Sequence, residues 1–263
     1  MENFTILCSA EIEFYIITNH IISSQNSNST VNHDILFHDI ERNLNAAGIR
    51  SFNISEEDGN NQYEISFENL YYPKELIEII NLTKKVIIDS AAKHDIAVNF
   101  TAKPFLEQSG NALHINLSLH NNSGHNLFKK INPNQETLLL LYSIGGLMKK
   151  MLDSMPYFAP DNNSYQRIKY PHNSPTNVSW SSNNRTVALR VPTSTHNPNS
   201  RHIEHRVPSA SADPEAAITA IVEAVEYGIK DKILPSSDKI FGNAQDIQYK
   251  RSPYNLVDLP TSR

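Results

Sequence analysis

With 263 residues, 39% apolar side chains and a net charge of −5, the chain has material for one large domain or two small ones, and no global basic field for nucleic acid. A lone cysteine, Cys8, excludes an internal disulfide and reads as a small buried hydrophobe, and no apolar run approaches the ~20 residues of a membrane span. The first residues show no basic segment and only a short apolar run before Glu11, which is not a signal peptide, so a cytoplasmic protein without nucleic-acid or membrane partners is expected.

Thr5–Ile17 is predicted as a strand in which Ile12, Phe14 and Ile16 alternate with Glu11, Glu13 and Tyr15. Its two carboxylates, two residues apart, point to one side, where like charges repel; a solvated edge tolerates the pair, and a cation requires it. The polar stretch 19–32 reads as a loop, and Asp34–Ala47 as a helix ended by Gly48. Ser51–Ile54 is a short strand, followed by the acidic turn Glu56-Glu57-Asp58-Gly59 and a strand at Tyr63–Phe67 that includes Glu64. Pro73–His94 is a long amphipathic helix, and Ile96–Phe105 a strand broken at Pro104.

Gly110–His120 then alternates Leu113, Ile115, Leu117 and Leu119 with His114, Asn116, Ser118 and His120. A solvated face ordinarily carries Lys, Glu and Thr; this one offers groups that ligate metals or hydrogen-bond ligands. A Leu- and Met-rich core helix lies within 132–155, and 156–180, with four prolines, reads as loop around Asn163-Ser164-Tyr165-Gln166-Arg167. Thr186–Val191 and His202–Val207 alternate as strands. Asp213-Pro214-Glu215 starts a helix to about Ile229, and the tail after Lys232 is irregular. Helices and mostly antiparallel strands alternate irregularly, which predicts an α+β fold.

Together these segments bring Glu11, Glu13, Glu57, Glu64, Glu204 and His114 to polar faces, with Arg167, Arg185, Arg190 and Arg206 on neighbouring segments. Carboxylates with one imidazole suit Mg²⁺ or Mn²⁺, and arginines beside a hard cation suit a polyphosphate. Residue types alone therefore suggest a metal–nucleotide enzyme.

From Ser9 to about Leu259 the order of motifs resembles the catalytic domain of the glutamine synthetase family, nearer its γ-glutamyl-polyamine branch. Glu11-Ile12-Glu13 fits that family's E-x-E strand, Glu57 to Glu64 its E-x(6)-E loop, and Gly110–His114 its G-S-[GA]-[ML]-H strand. Ile203–Arg206 fits R-[IV]-E-x-R, Asn163–Arg167 fits N-S-Y-x-R, and Asn184–Pro192 fits the nucleotide-phosphate segment. The resemblance implies a glutamine synthetase/guanido kinase-like catalytic domain, with a curved antiparallel sheet lining a two-metal site and helices flanking it.

It further implies one Mg²⁺ or Mn²⁺ on Glu13, Glu57 and Glu64, and a second on Glu11, His114 and Glu204. Gly110, Arg167 and Arg206 would bind substrate, Arg167 and Arg185 would act in catalysis, and Asn116, Ser118, Arg185 and Arg190 would bind the nucleotide. The implied activity joins glutamate to ammonia or an amine such as a polyamine, with ATP as co-substrate, and a homo-oligomer is a possible assembly. The chain departs from the family at Asn173, where relatives place a glutamate general base, at Asn116 and His202, which replace a histidine and an arginine, and at Ser109, which replaces an asparagine. It is read as one catalytic domain over 1–263, shortened at both ends and lacking the family's N-terminal β-grasp domain. These departures keep open a second expectation, an impaired metal- and nucleotide-binding relative acting as a regulator or partner subunit.

Overall fold

The computed structural model describes residues 3–17, 33–130, 132, 135–194, 197–249 and 255–256; the loop expected at 19–32 lies outside them. Its centre is β1 (Thr5–Ile17), whose side chains alternate as the sequence predicts. Ile12, Phe14 and Ile16 enter the core, and Glu11 and Glu13 project from the other face. β1 pairs antiparallel with β3 (Gln62–Phe67), β4 (Ala97–Asn99) and β5 (Leu113–His120). β2 (Phe52–Glu56) lies outside β3, while β8 (Ile203–His205), β7 (Leu189–Val191) and β6 (Trp180–Ser182) continue beyond β5. Among the described strands the sheet order is β2-β3-β1-β5-β8-β7-β6. Every pairing is antiparallel except β6 with β7, so the sheet is mixed rather than purely antiparallel.

The helices cover the apolar face. α1 (His33–Ala46) packs on α2 (Pro73–Ala92), and α2 packs on β1 and on α5 (Pro214–Lys230). α3 (Leu138–Phe158) lies against α5 where Gly146 and Gly228 let the two backbones approach. A Cβ at Gly146 would come within 2.1 Å of the Ala224 carbonyl oxygen, and one at Gly228 within 2.2 Å of that of Tyr142. Helix starts follow their capping chemistry. Asp213 accepts from the Glu215 and Ala216 amides ahead of Pro214, and Thr137 accepts from Leu140.

Several boundaries shift for identifiable reasons. Only 97–99 of the expected strand 96–105 joins the sheet, because the Asn111 side chain takes the Asn99 and Thr101 carbonyls. The strand at 186–191 shrinks to 189–191, since Asn184 Oδ1 accepts from the Thr186 amide and folds the start into a turn. The strand at 202–207 shrinks to 203–205, although the Arg206 amide still reaches the Ala188 carbonyl.

The stretch 156–180 is not all loop. α3 runs through Pro156 to Phe158, and α4 (Asn162–Lys169) follows, capped by Asp161, which accepts from the Ser164 amide at 2.7 Å. Four prolines hid a helix that fits between two of them. Cys8 is fully buried, and burial pushes its thiol up to about 12.

Candidate active site

Strand register assembles the polar cluster. Across the sheet Glu13 faces Glu64, and Glu11 faces Ser66 on one side and His114 on the other. One step along, Ser9, Asn116, Glu204 and Arg190 align in a row. Side chains on adjacent strands in register stand about 5 Å apart, so five strands deliver carboxylates, an imidazole and a guanidinium to one face.

These groups line a single cavity of about 210 Å³. Its walls hold Glu11, Glu13, Glu57, Glu64, Glu204, His114, Arg167, Arg185, Arg190, Arg206 and Gly110. Asn116 and Ser118 lie behind it. Asn116 Nδ2 donates to Glu11 Oε1 at 3.0 Å, while its Oδ1 is buried without a partner among the described residues. The Ser118 hydroxyl is 3.0 Å from His120 Nε2.

His114 Nδ1 sits 3.0 Å from Glu11, 3.7 Å from Glu204 and 3.9 Å from Glu13. Glu11, His114 and Glu204 offer ligand atoms within 4.8 Å of one another, as do Glu13, Glu64 and His114. Glu57 lines the same cavity outside both tight groups.

Electrostatics within the cavity are unbalanced in a way that a cation would relieve. Burial, followed by repulsion from Glu11, Glu13, Glu57 and Glu204, pushes the Glu64 carboxyl up to about 9. Burial and then Glu13 also raise Glu57. Burial likewise works against the charged form of Glu11, but bonds from His114 and Asn116 and the charge of Arg206 bring it down to about 2. A carboxylate-rich group with one imidazole, holding one carboxyl proton it would ordinarily shed, is a donor set fitted to a hard divalent cation.

The cationic half is placed by other elements. Glu204 accepts from Arg190 Nη1 at 2.7 Å and also pairs with Arg206. Arg167 reaches up from α4, nearly fully buried, and donates to the carbonyls of Val207 and Arg206 at 2.9 and 3.1 Å. Burial lowers it to about 10, so it stays charged at neutral pH. Gly110 is required here, because a Cβ would lie 2.7 Å from Arg167 Cγ and 2.5 Å from the Ala102 carbonyl. Arg185 projects, exposed, from the turn before β7.

Sequence reasoning gave no role to the groups that knit the walls together. Gln62 accepts from the Gly59 amide and donates to the Gly110 carbonyl and Asn111 Oδ1, tying the acidic turn to the entry of β5. Its place at the end of the turn Glu57-Asp58-Gly59-Asn60-Asn61-Gln62 was the available signal. Asp58, also on the wall, accepts from Asn173 Nδ2 at 2.7 Å.

Residues 1–263 match the glutamine synthetase catalytic-domain family. The chain belongs to the glutamine synthetase family. Among curated relatives it is 35% identical over 186 residues to the gamma-glutamylputrescine synthetase PuuA of Escherichia coli (strain K12), covering 69% of this chain and 38% of that protein. It is 30% identical over 261 residues to the glutamate–isopropylamine ligase of Pseudomonas sp, covering 92% and 55%. The fold matches a GmaS/ADP complex with a TM-score of 0.80 at 22% identity, covering 97% of this chain and 62% of that one. It matches Plasmodium falciparum glutamine synthetase with a TM-score of 0.77 at 22% identity, covering 88% and 53%. The α+β architecture is thus the family's own. This glutamine synthetase-family chain spans between about two fifths and about three fifths of the length of these relatives. Among its described residues no helix is long and apolar enough to cross a membrane.

Proposed function

We propose that the chain is the catalytic part of an ATP-dependent glutamate–amine ligase using two divalent cations, Mg²⁺ or Mn²⁺. The supporting observation is the one cavity that gathers five glutamates, a histidine and four arginines. Glu11, His114 and Glu204 hold one cation in this reading. Glu13 and Glu64 hold the other, which requires Glu57 to swing toward them. Bound there, such ions supply Lewis-acid neutralisation of phosphate and carboxylate charge.

The chain's own residues do the remaining work. Arg206 and Arg167, the latter seated against Gly110, orient the glutamate, whose γ-carboxylate oxygen attacks the γ-phosphorus of ATP as ADP departs. Arg185 and Arg190 stabilise the charge spread over the transferring phosphoryl group. An amine nitrogen then attacks the acyl carbon, phosphate leaves with the C–O bonding pair, and the departing phosphate takes up the proton that the nitrogen sheds. Asn116 keeps an unpartnered Oδ1 that would accept from the nucleotide once the wall covering it is moved aside. Ser118 can join it only by turning its hydroxyl from His120. An ATP-consuming enzyme with a single buried thiol fits a cytoplasmic setting.

The test is phosphate release by purified protein given Mg²⁺ or Mn²⁺, ATP and glutamate, with ammonium or a polyamine as acceptor. Turnover that disappears in Glu204→Gln is expected; no release with any amine overturns the reading. Asn173 favours one alternative, since its amide cannot take the proton that the family's glutamate removes. A non-catalytic metal- and nucleotide-binding subunit would show a Mn²⁺- and ATP-dependent rise in melting temperature without phosphate release.

A further inference from the structure

The irregular tail after α5 makes contacts the proposed function leaves unused. Ile240 donates its amide to the Trp180 carbonyl at 3.1 Å and returns its own carbonyl to Ser181 Oγ at 2.8 Å. Asn184 Nδ2 donates to the Gly242 carbonyl at 2.8 Å, and the Ala244 amide donates to Thr186 Oγ1 at 2.9 Å. Asn184 and Thr186 flank Arg185, so the tail is fastened to the turn that presents this cavity arginine. Ala244 is fully buried against Val187 and Ile240, which fixes that attachment with apolar packing.

One residue further, Gln245 reaches a second lining segment of the cavity, residues 172–174. Its Nε2 donates to the His172 carbonyl at 2.8 Å and to the Ser174 carbonyl at 3.0 Å. Both hydrogens of a single amide therefore grip the two carbonyls that flank Asn173. Asn173 in turn spans the cavity rim, with its side chain on Asp58 and its carbonyl accepting from Arg206 Nη2 at 3.4 Å. The His172 bond orients the peptide plane before Asn173 and the Ser174 bond the plane after Ser174, while the Arg206 bond holds the plane between them.

We infer that residues 240–245 form a brace joining two lining segments of the cavity and that Gln245 is a positioning residue, holding Asn173 at the rim at a set distance from the Arg185 turn. The catalytic meaning of this brace rests on the proposed ligase reading; the brace itself does not. It acts through Asn173 on the side of the cavity where Asp58 lies, and through the Asn173 carbonyl it also meets Arg206, the partner of Glu204.

Hydrogen exchange on the full chain tests it, comparing wild type with Gln245→Ala and Gln245→Glu. Two neutral bonds contribute about 1 kcal/mol each, so amides in 172–176 should exchange about tenfold or more faster in Gln245→Ala. Gln245→Glu keeps the shape but sets an acceptor against two carbonyls, and should accelerate exchange at least as much. In a ligase assay, the amine KM should rise in both variants while the ATP KM stays at its wild-type value. Unchanged exchange at 172–176, exchange accelerated throughout the domain, or a Glu variant that behaves like wild type would each overturn the brace. Locally accelerated exchange in a protein whose wild type releases no phosphate with any amine would sink the ligase reading and leave the brace standing.

Discussion

Glu204 and Arg190 stand directly opposite each other on β8 and β7 and are joined at 2.7 Å, with the Glu204 side chain only 2% exposed. Arg206 engages the other Glu204 oxygen, and His114 Nδ1 is 3.7 Å from it. A cation that engages this carboxylate must share it with two guanidiniums, and each one it displaces becomes available to an anion. Mn²⁺ and inorganic phosphate should therefore bind cooperatively, each raising the other's affinity by about fivefold or more, as read by calorimetry with and without the partner ion. Equal phosphate affinity in Mn²⁺ and in chelator would refute this.

Gly110→Ala should cost about 3 kcal/mol in denaturant unfolding, because its Cβ meets a backbone carbonyl as well as a side chain. Shortening the neighbouring side chain in Arg167→Ala should not restore the loss, since the Ala102 carbonyl at 2.5 Å would still be in the way.

His205→Phe should stabilise the chain by about 1 kcal/mol. The ring is fully buried against Phe158 at a centroid distance of 4.7 Å, and neither nitrogen has a partner among the described residues. An aromatic ring without the two orphaned nitrogens removes a desolvation cost while keeping the packing. A lower urea midpoint in the variant would count against this account.

Lys84 supplies a pH dependence. Its ammonium donates to the Ala210 carbonyl at 2.6 Å, and burial lowers it from 10.5 to about 8 despite the opposing pull of Asp213. Between those values the unfolded chain holds a proton that the folded chain has shed, so this group makes stability rise with pH from about 8 to about 10.5. Below about 8 both states carry the charge and the contribution is flat. Urea titrations at a series of pH values should show the wild type gaining stability relative to Lys84→Met across that range, while Cys8 and Glu64, whose folded values are raised, pull both proteins the other way.

The central strands were legible because their pattern is strict: β1 and β5 each place apolar and polar side chains in alternation, and the core residues are the apolar set. The α5 start was legible because cap, proline and acid stand in order. What one sequence could not reveal was adjacency. Nothing local says that Glu204 faces Arg190 rather than solvent, or that Asn116 gives its amide to Glu11. α4 escaped notice because its apolar positions are few and prolines surround it. The tail escaped because its order comes from side chains donating to distant carbonyls, which leaves no periodicity to read.

Four of the five cavity glutamates precede every cavity arginine in the chain, and only Glu204 lies among the arginines. Glu11, Glu13, Glu57 and Glu64 are all translated before Arg167, Arg185, Arg190 and Arg206. A growing polypeptide that has emerged only as far as β5 thus carries a knot of negative charge with His114 beside it and none of the cavity arginines. Repulsion among those carboxylates opposes closure of β1 on β3 until α4, β7 and β8 arrive. Folding of this domain is accordingly weighted toward the end of its synthesis, and a ribosome-stalled chain ending before residue 203 should remain protease-sensitive where the finished protein is not.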